Sequence, residues 1–464
     1  MTTGEPAYTA LLLSAFGMTI LGFLLLRRRV DFFLLFSTFF LVMYVLAPLH
    51  LLVGGSGFLF PIYLYAYTQY GAGSLLSALV VIIGYLSVAS GYYSKLVRAT
   101  ASRVRFELSW KTSQTLPVAG LLLCLSFISI VIYALQYGSL ERAIKLAILI
   151  RGGEWTESGP YVFMKHFMGF SCVSLFLVFT TTLKEGWRHR FALKAALGLF
   201  SCLGVILTGL LTAGRGFIIE LFLVLYLTLV LYKRRLYIPF LLLIGAFAFI
   251  FILVGKPFFH SLYRGEPLGP IISLFHNFDF AAAYQRLWRE FMHPYISLEA
   301  AIATTGEFTP RFFLDWIYAL LCLAPERLIP FQPPETIAYL NTELVTGVRE
   351  SVVPPGLLAF LWYSALLPGV IFGGVVFGAI GRWLDTVLGK NRRDPLGIGL
   401  YVLAAFMWGG FMVMYSEPRV FFFAKLTWLV FFFCALLTSR WYVRGQRLTN
   451  WQEQTRPQRR AGNV

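Results

Sequence analysis

The sequence predicts an all-α polytopic membrane protein of about eleven transmembrane helices, and three observations predict it. Hydrophobic residues make up 58% of the chain and charged ones only 13%, whereas a water-facing surface raises the charged share to about 25%. Apolar runs of about 20 residues, the length that crosses a bilayer core, recur from end to end. Clusters of Lys and Arg fall between alternate runs, as they do in chains threaded through a membrane. A soluble protein of two or three domains is excluded.

The spans read in order as 8–26, 31–53, 73–94, 116–137, 161–183, 191–213, 216–232, 236–255, 356–380, 396–415 and 419–438. The first lacks a basic leader and a small-residue cleavage site, and Arg27, Arg28 and Arg29 follow it, so it reads as a retained helix. Basic clusters lie at 27–29, 95–111, 184–194, 233–235, 382–393 and 440–460, and they hold 25 of the 39 Lys and Arg residues. That bias places these segments in the cytoplasm, the N-terminus outside and the C-terminus inside. The net charge of +17 is thereby explained by topology, and no nucleic-acid partner is expected. The organisation follows: helices 1–8 over 1–255, a large external loop over 256–355, helices 9–11 over 356–438 and a basic cytoplasmic tail over 439–464. Five cysteines (Cys124, Cys172, Cys202, Cys322, Cys434) are scattered without paired spacing, so neither a disulfide framework nor a zinc site is expected.

The external loop is too long for a passive connector. Within it, Ala281 to Phe291 reads as a helix ending before Pro294, and a second helix is expected from Thr309–Pro310. The apolar run Phe312 to Leu323 is too short to span and reads as interfacial or re-entrant. A smaller external element, Ser139 to Arg151, is amphipathic.

The sharpest local feature is Ala213-Gly214-Arg215-Gly216 at the external start of the seventh span. Free N–H groups, the positive end of a helix and a guanidinium converge there, which suits a diphosphate at the membrane surface. An arginine merely reaching the interface gives the same pattern. Arg151, Lys165 and Arg419 are further external bases, and the latter two sit at external helix ends, where an idle cation is costly. Arg311 with Asp315, Arg349 with Glu350 and Arg286 with Glu290 are expected to be internal ion pairs. Among acids, Glu299 stands out at the head of an apolar stretch, either as a base on a hydroxyl or as an acid complementing a helix dipole. The first external loop, 54–72, contains no Asp or Glu, and no DxD, HExxH or His cluster occurs, so no metal and no cofactor are expected.

An ordered set of segments resembles the Wzy-type oligosaccharide repeat-unit polymerases, the family of O-antigen and enterobacterial common antigen polymerases. The set is Gly214-Arg215-Gly216 with Phe217-Ile218-Ile219, then His293-Pro294 to Glu299, Leu323-Ala324-Pro325 to Pro334, and Asn341. It continues with Val353-Pro354-Pro355-Gly356 leading to Arg382-Trp383-Leu384-Asp385, and ends at Arg419-Val420-Phe421-Phe422. It covers roughly residues 150–440, while the first four spans match in hydropathy alone. The resemblance implies a GT-C-like, metal-independent inverting glycosyltransferase of the bacterial inner membrane. It would join lipid-linked oligosaccharides at the periplasmic face and release undecaprenyl diphosphate. Arg215, with Arg419, Lys165 and Arg151, is then expected to bind the diphosphate, Arg215 aiding its departure, and Glu299 to act as base. His293, Arg289 and Asn341 are expected to bind the acceptor sugar. A chain-length-regulating co-polymerase is the partner the family implies, besides membrane lipid. An O-antigen ligase shares this layout; a lipid-linked oligosaccharide flippase is the alternative of another class, for which charges buried in mid-span are expected.

Overall fold

The computed structural model describes residues 5–27, 30–107, 110, 112–152, 155, 159–214, 216–265, 278–323, 334–349, 352–391 and 394–443. Among them, eleven helices are long and apolar enough to cross a membrane, and the chain is an all-α, multi-pass membrane protein. In chain order the helices are α1 (Glu5–Leu26), α2 (Phe32–Phe58), α3 (Leu75–Tyr93), the short α4 (Lys95–Arg103) and α5 (Ser113–Gln136). Next come the amphipathic α6 (Leu140–Gly152), then α7 (Val162–Glu185), α8 (Phe191–Thr212), α9 (Gly216–Lys233) and α10 (Ile238–Arg264). The insertion holds α11 (Phe280–Arg289), α12 (His293–Ala303), α13 (Leu314–Leu321) and α14 (Ile337–Thr346). The last three spans are α15 (Gly356–Val387), α16 (Pro395–Met414) and α17 (Pro418–Leu437).

Caps start these helices where the side chains allow. Asp31 accepts from the Leu34 N–H at α2, Ser74 from the Ser77 N–H at α3, and Asp279 from the Ala281 N–H at α11. α16 is apolar all round and 94% of the residues in its apolar stretch are buried, so it forms the centre of the bundle. α3 crosses α15 at backbone distance. A Cβ on Gly91 would lie 1.9 Å from the Val375 carbonyl oxygen, and one on Gly378 would lie 2.0 Å from that of Val88. Only glycine permits this approach, the usual way for helices to pack where burial from water gives no drive.

α15 kinks at Ala365 and Leu366, ahead of Pro368. Proline has no N–H to return to Ser364 and forces the turn open. The insertion fills the gap: the Phe312 N–H donates to the Ser364 carbonyl at 2.7 Å, and the Arg311 N–H to that of Tyr363 at 3.1 Å. This anchoring corrects the expected start of the second insertion helix. Thr309, Pro310 and Arg311 are not helical, Phe312 and Phe313 take left-handed backbone, and α13 begins only at Leu314. α13 lies against α17, with the Trp316 ring about 6 Å from those of Phe421 and Phe422. Of the ion pairs expected here, Arg311 meets Asp315 at 2.8 Å. Arg349 reaches Glu343 at 2.6 Å and Glu335 at 3.1 Å, whereas Glu350 lies outside the described residues.

At the opposite end of the bundle a two-stranded antiparallel ribbon pairs Val104–Glu107 with Arg440–Val443. Lys390 closes it by donating to the carbonyls of Ser102 and Val104. Three of the basic segments therefore meet at one end.

Candidate functional site

The site is built around the junction of α8 and α9. Ala213 ends α8 in left-handed backbone (φ 44°), and its N–H and that of Gly214 fold back onto the Gly209 carbonyl. The Ala213 carbonyl, turned outward, accepts from Arg151 Nη1 at 2.8 Å. A side chain at Gly214 would meet Thr212 Oγ1 at 2.8 Å and the Phe217 ring at 3.2 Å, so a larger residue there would have to push these side chains aside. Arg215 itself lies outside the described residues.

This junction opens on a cavity of about 520 Å³ between α6, α7, α8, α9, α16 and α17. Arg151, Lys165, His166, Gly214 and Gly216 line it, with apolar walls from Phe217, Phe406, Phe411, Met414 and Trp428 among others. Part of that wall is a π-helical turn of α16, Met407–Phe411, the kind of helix irregularity found often at functional sites. Deeper along α9, one turn or roughly 6 Å past Gly216, Glu220 lines the cavity and is paired with Lys425 of α17. Both side chains are at least nine-tenths buried. Lys425 Nζ also stands 4.3 Å over the Phe411 ring. Glu220 gives Lys425 its Oε2 only; Oε1 is buried with no hydrogen-bond partner among the described residues.

The cavity thus gathers Arg151, Lys165 and both glycines flanking Arg215. It does not gather the other expected residues. Arg419 is half-buried on the first turn of α17, and its neighbour Val420, not Arg419, lines the cavity. His293 stands behind the wall: its Nε2 bonds the Met414 carbonyl at 2.9 Å and its ring lies 5.9 Å from that of Tyr415. Burial holds its imidazole below the usual range. Arg289 donates twice to the Gly57 carbonyl, at 3.0 and 2.8 Å, tying α11 to the last turn of α2. Asn341 is fully buried, donating to Ser297 Oγ and the Val353 carbonyl and accepting from Tyr363.

Glu299 is the furthest from its expected setting. It lies late in α12, yet its carboxylate accepts from the N–H groups of Gly73 and Ser74 and the hydroxyls of Ser74 and Ser77. These donors surround the start of α3, so the acid complements the dipole of another helix than its own. Four donors on a 4%-exposed carboxylate make a staple between insertion and bundle.

Sequence reasoning passed over Glu220, Lys425 and Glu417. The first two carried a signal, for each is a lone charge inside an apolar span, where ionisable residues mark functional paths. Glu417 reads as nothing more than the cap of α17, which it is, accepting from the Val420 N–H. It is also 1% exposed, and burial with Asp315 nearby pushes its carboxyl up to about 7.

No protein-family model matches the chain, and no curated protein or solved structure aligns with it significantly.

Proposed function

We propose that the protein is a glycosyltransferase that polymerises undecaprenyl-diphosphate-linked oligosaccharide repeat units at the periplasmic face of the bacterial inner membrane. The observation that carries this reading is the cavity at the start of α9. Arg151, Lys165 and, at Gly216, the first turn of α9 share it with Phe, Met and Trp walls. A prenyl diphosphate asks for that combination: cations and helix N–H groups for the phosphates, apolar surface for the chain.

In metal-independent inverting transfer, negative charge grows on the diphosphate as the glycosidic bond breaks. Cations already in place stabilise that charge without reorganising. Arg151 is held by Ala213 in such a position, and Arg215 follows directly in the chain. Glu299 is not assigned as the base, because its donors engage both oxygens and it does not line the cavity.

The test is incubation of the purified protein with a synthetic undecaprenyl-diphosphate repeat unit in EDTA, following product length by gel. A ladder of longer glycans is expected, and Arg151→Ala or Lys165→Ala should slow it by about 10²-fold, the usual loss for one stabilising donor. A flippase is the second reading, favoured by one observation: the Glu220–Lys425 pair lies inside the spans and faces the cavity. No ladder, together with lipid-linked sugar crossing proteoliposome membranes, would replace the first reading by the second.

A further inference from the structure

One residue lining the cavity has no part in the proposed chemistry: Glu220, whose Oε1 is buried and meets no hydrogen-bond donor among the described residues. A carboxylate oxygen out of water and without a donor is costly, so its setting asks for a ligand that brings one. The charged and titratable neighbours come from three helices and one turn. Lys425 stands on α17, Arg151 on α6, and Lys165, His166 and Cys172 on α7. α8 adds the hydroxyls of Thr208 and Thr212, and the turn after α16 adds the titratable Tyr415 beside an otherwise apolar wall. The cavity as a whole therefore selects an anion, while this one oxygen demands a hydrogen-bond donor. A fully ionised anion meets only the first demand. A phosphate monoester that keeps one proton meets both, and with a second pKa near 6 such a species is abundant in mildly acidic water.

We propose that Glu220 and Lys425 form an acceptor–donor pair that recognises a singly protonated terminal phosphate. Its P–OH donates to Glu220 Oε1 and an ionised oxygen accepts from Lys425. This rests on the reading of the cavity as a prenyl-diphosphate site and deepens it. A sugar-linked diphosphate is a diester with no such proton, whereas released prenyl diphosphate ends in a phosphate that carries one. The pair therefore favours the product over the substrate and makes product release faster as pH rises.

The experiment uses the full chain in nanodiscs, with equilibrium binding of a radiolabelled prenyl diphosphate and of its methyl-capped diester at pH 6 and pH 8. The prenyl diphosphate is expected to bind at least about tenfold tighter at pH 6, following the protonated fraction of its terminal phosphate, and the capped ligand to show no such preference. Glu220→Gln, whose amide donates to an ionised oxygen, should flatten or reverse the preference while binding persists. If that single variant does not fold, because Lys425 is left buried and unpaired, the Glu220→Gln/Lys425→Met double variant serves and should lose the preference. Inorganic pyrophosphate should compete at least tenfold less well than the prenyl diphosphate; equal competition would overturn the lipid as the source of the phosphate. An unchanged pH preference in the Gln variant would assign it to His166 and overturn the pair alone. No binding of any ligand by the folded wild-type chain would overturn the cavity reading and the pair with it.

Discussion

Four hydrogen-bond donors from residues 73 to 77 converge on Glu299, more than 220 residues further along the chain. Nothing local announces that arrangement, because an acid at the head of an apolar stretch looks the same whether it serves a substrate or a distant helix. The consequence is testable. Glu299→Ala leaves buried donors unmet and should destabilise the fold by about 3 kcal/mol, read as a lower thermal midpoint. Glu299→Gln, which keeps the shape and accepts at one oxygen, should keep glycan extension near the wild-type rate in the fraction that folds. Loss of extension in folded Gln protein would restore Glu299 as a base. Glu417 carries the pH dependence. Its folded pKa, about 7, lies above that of an exposed glutamate, near 4.3. The stability it contributes is therefore complete below about pH 4 and is lost as pH rises through 7. Relative to Glu417→Gln, the wild-type stability should fall across that window by at most about 4 kcal/mol, read as a lower thermal midpoint. Parallel profiles would contradict the burial of its charge.

Element by element, the membrane spans were legible in the sequence because length and apolarity alone decide them. Their ends fall within a few residues of the expected positions, apart from α15, which runs on to Val387, and α10, which runs on to Arg264. The connections were less legible, since they depend on partners far away in the chain. α13 starts late because Arg311 and Phe312 are held by carbonyls that Pro368 leaves open in α15. The ribbon of Val104–Glu107 with Arg440–Val443 joins segments more than 300 residues apart, and four residues carry too little pattern to show it. The α3–α15 crossing had a trace in sequence, in the glycines of both spans, but not the partner. Gly91→Leu should drive these helices apart and abolish folded, monodisperse protein; normal yield and thermal midpoint would contradict the close crossing.

For the whole molecule, the eleven crossings bring residues from six elements to one cavity near the end that carries the insertion. Half of that site was readable: glycines around an arginine at a helix start, and cations at helix ends. The other half, Glu220 with Lys425, was readable only as two unrelated charges until the packing of α9 and α17 joined them. His293, Asn341, Arg289 and Glu299 do not line the cavity; the last three bind the insertion to the bundle, Asn341 through Tyr363 of α15, and His293 braces the cavity wall. The described part of the insertion is thus held against the spans beside the cavity. Photo-crosslinking shows whether this cavity holds a prenyl diphosphate. Wild-type protein in nanodiscs would be irradiated with a diazirine-bearing undecaprenyl diphosphate, and the labelled peptides mapped by mass spectrometry. Label is expected on residues 208–220 and 406–428, suppressed by unlabelled lipid and weakened in Arg151→Ala. Saturable label confined to another face of the bundle, and unchanged by Arg151→Ala, would contradict it.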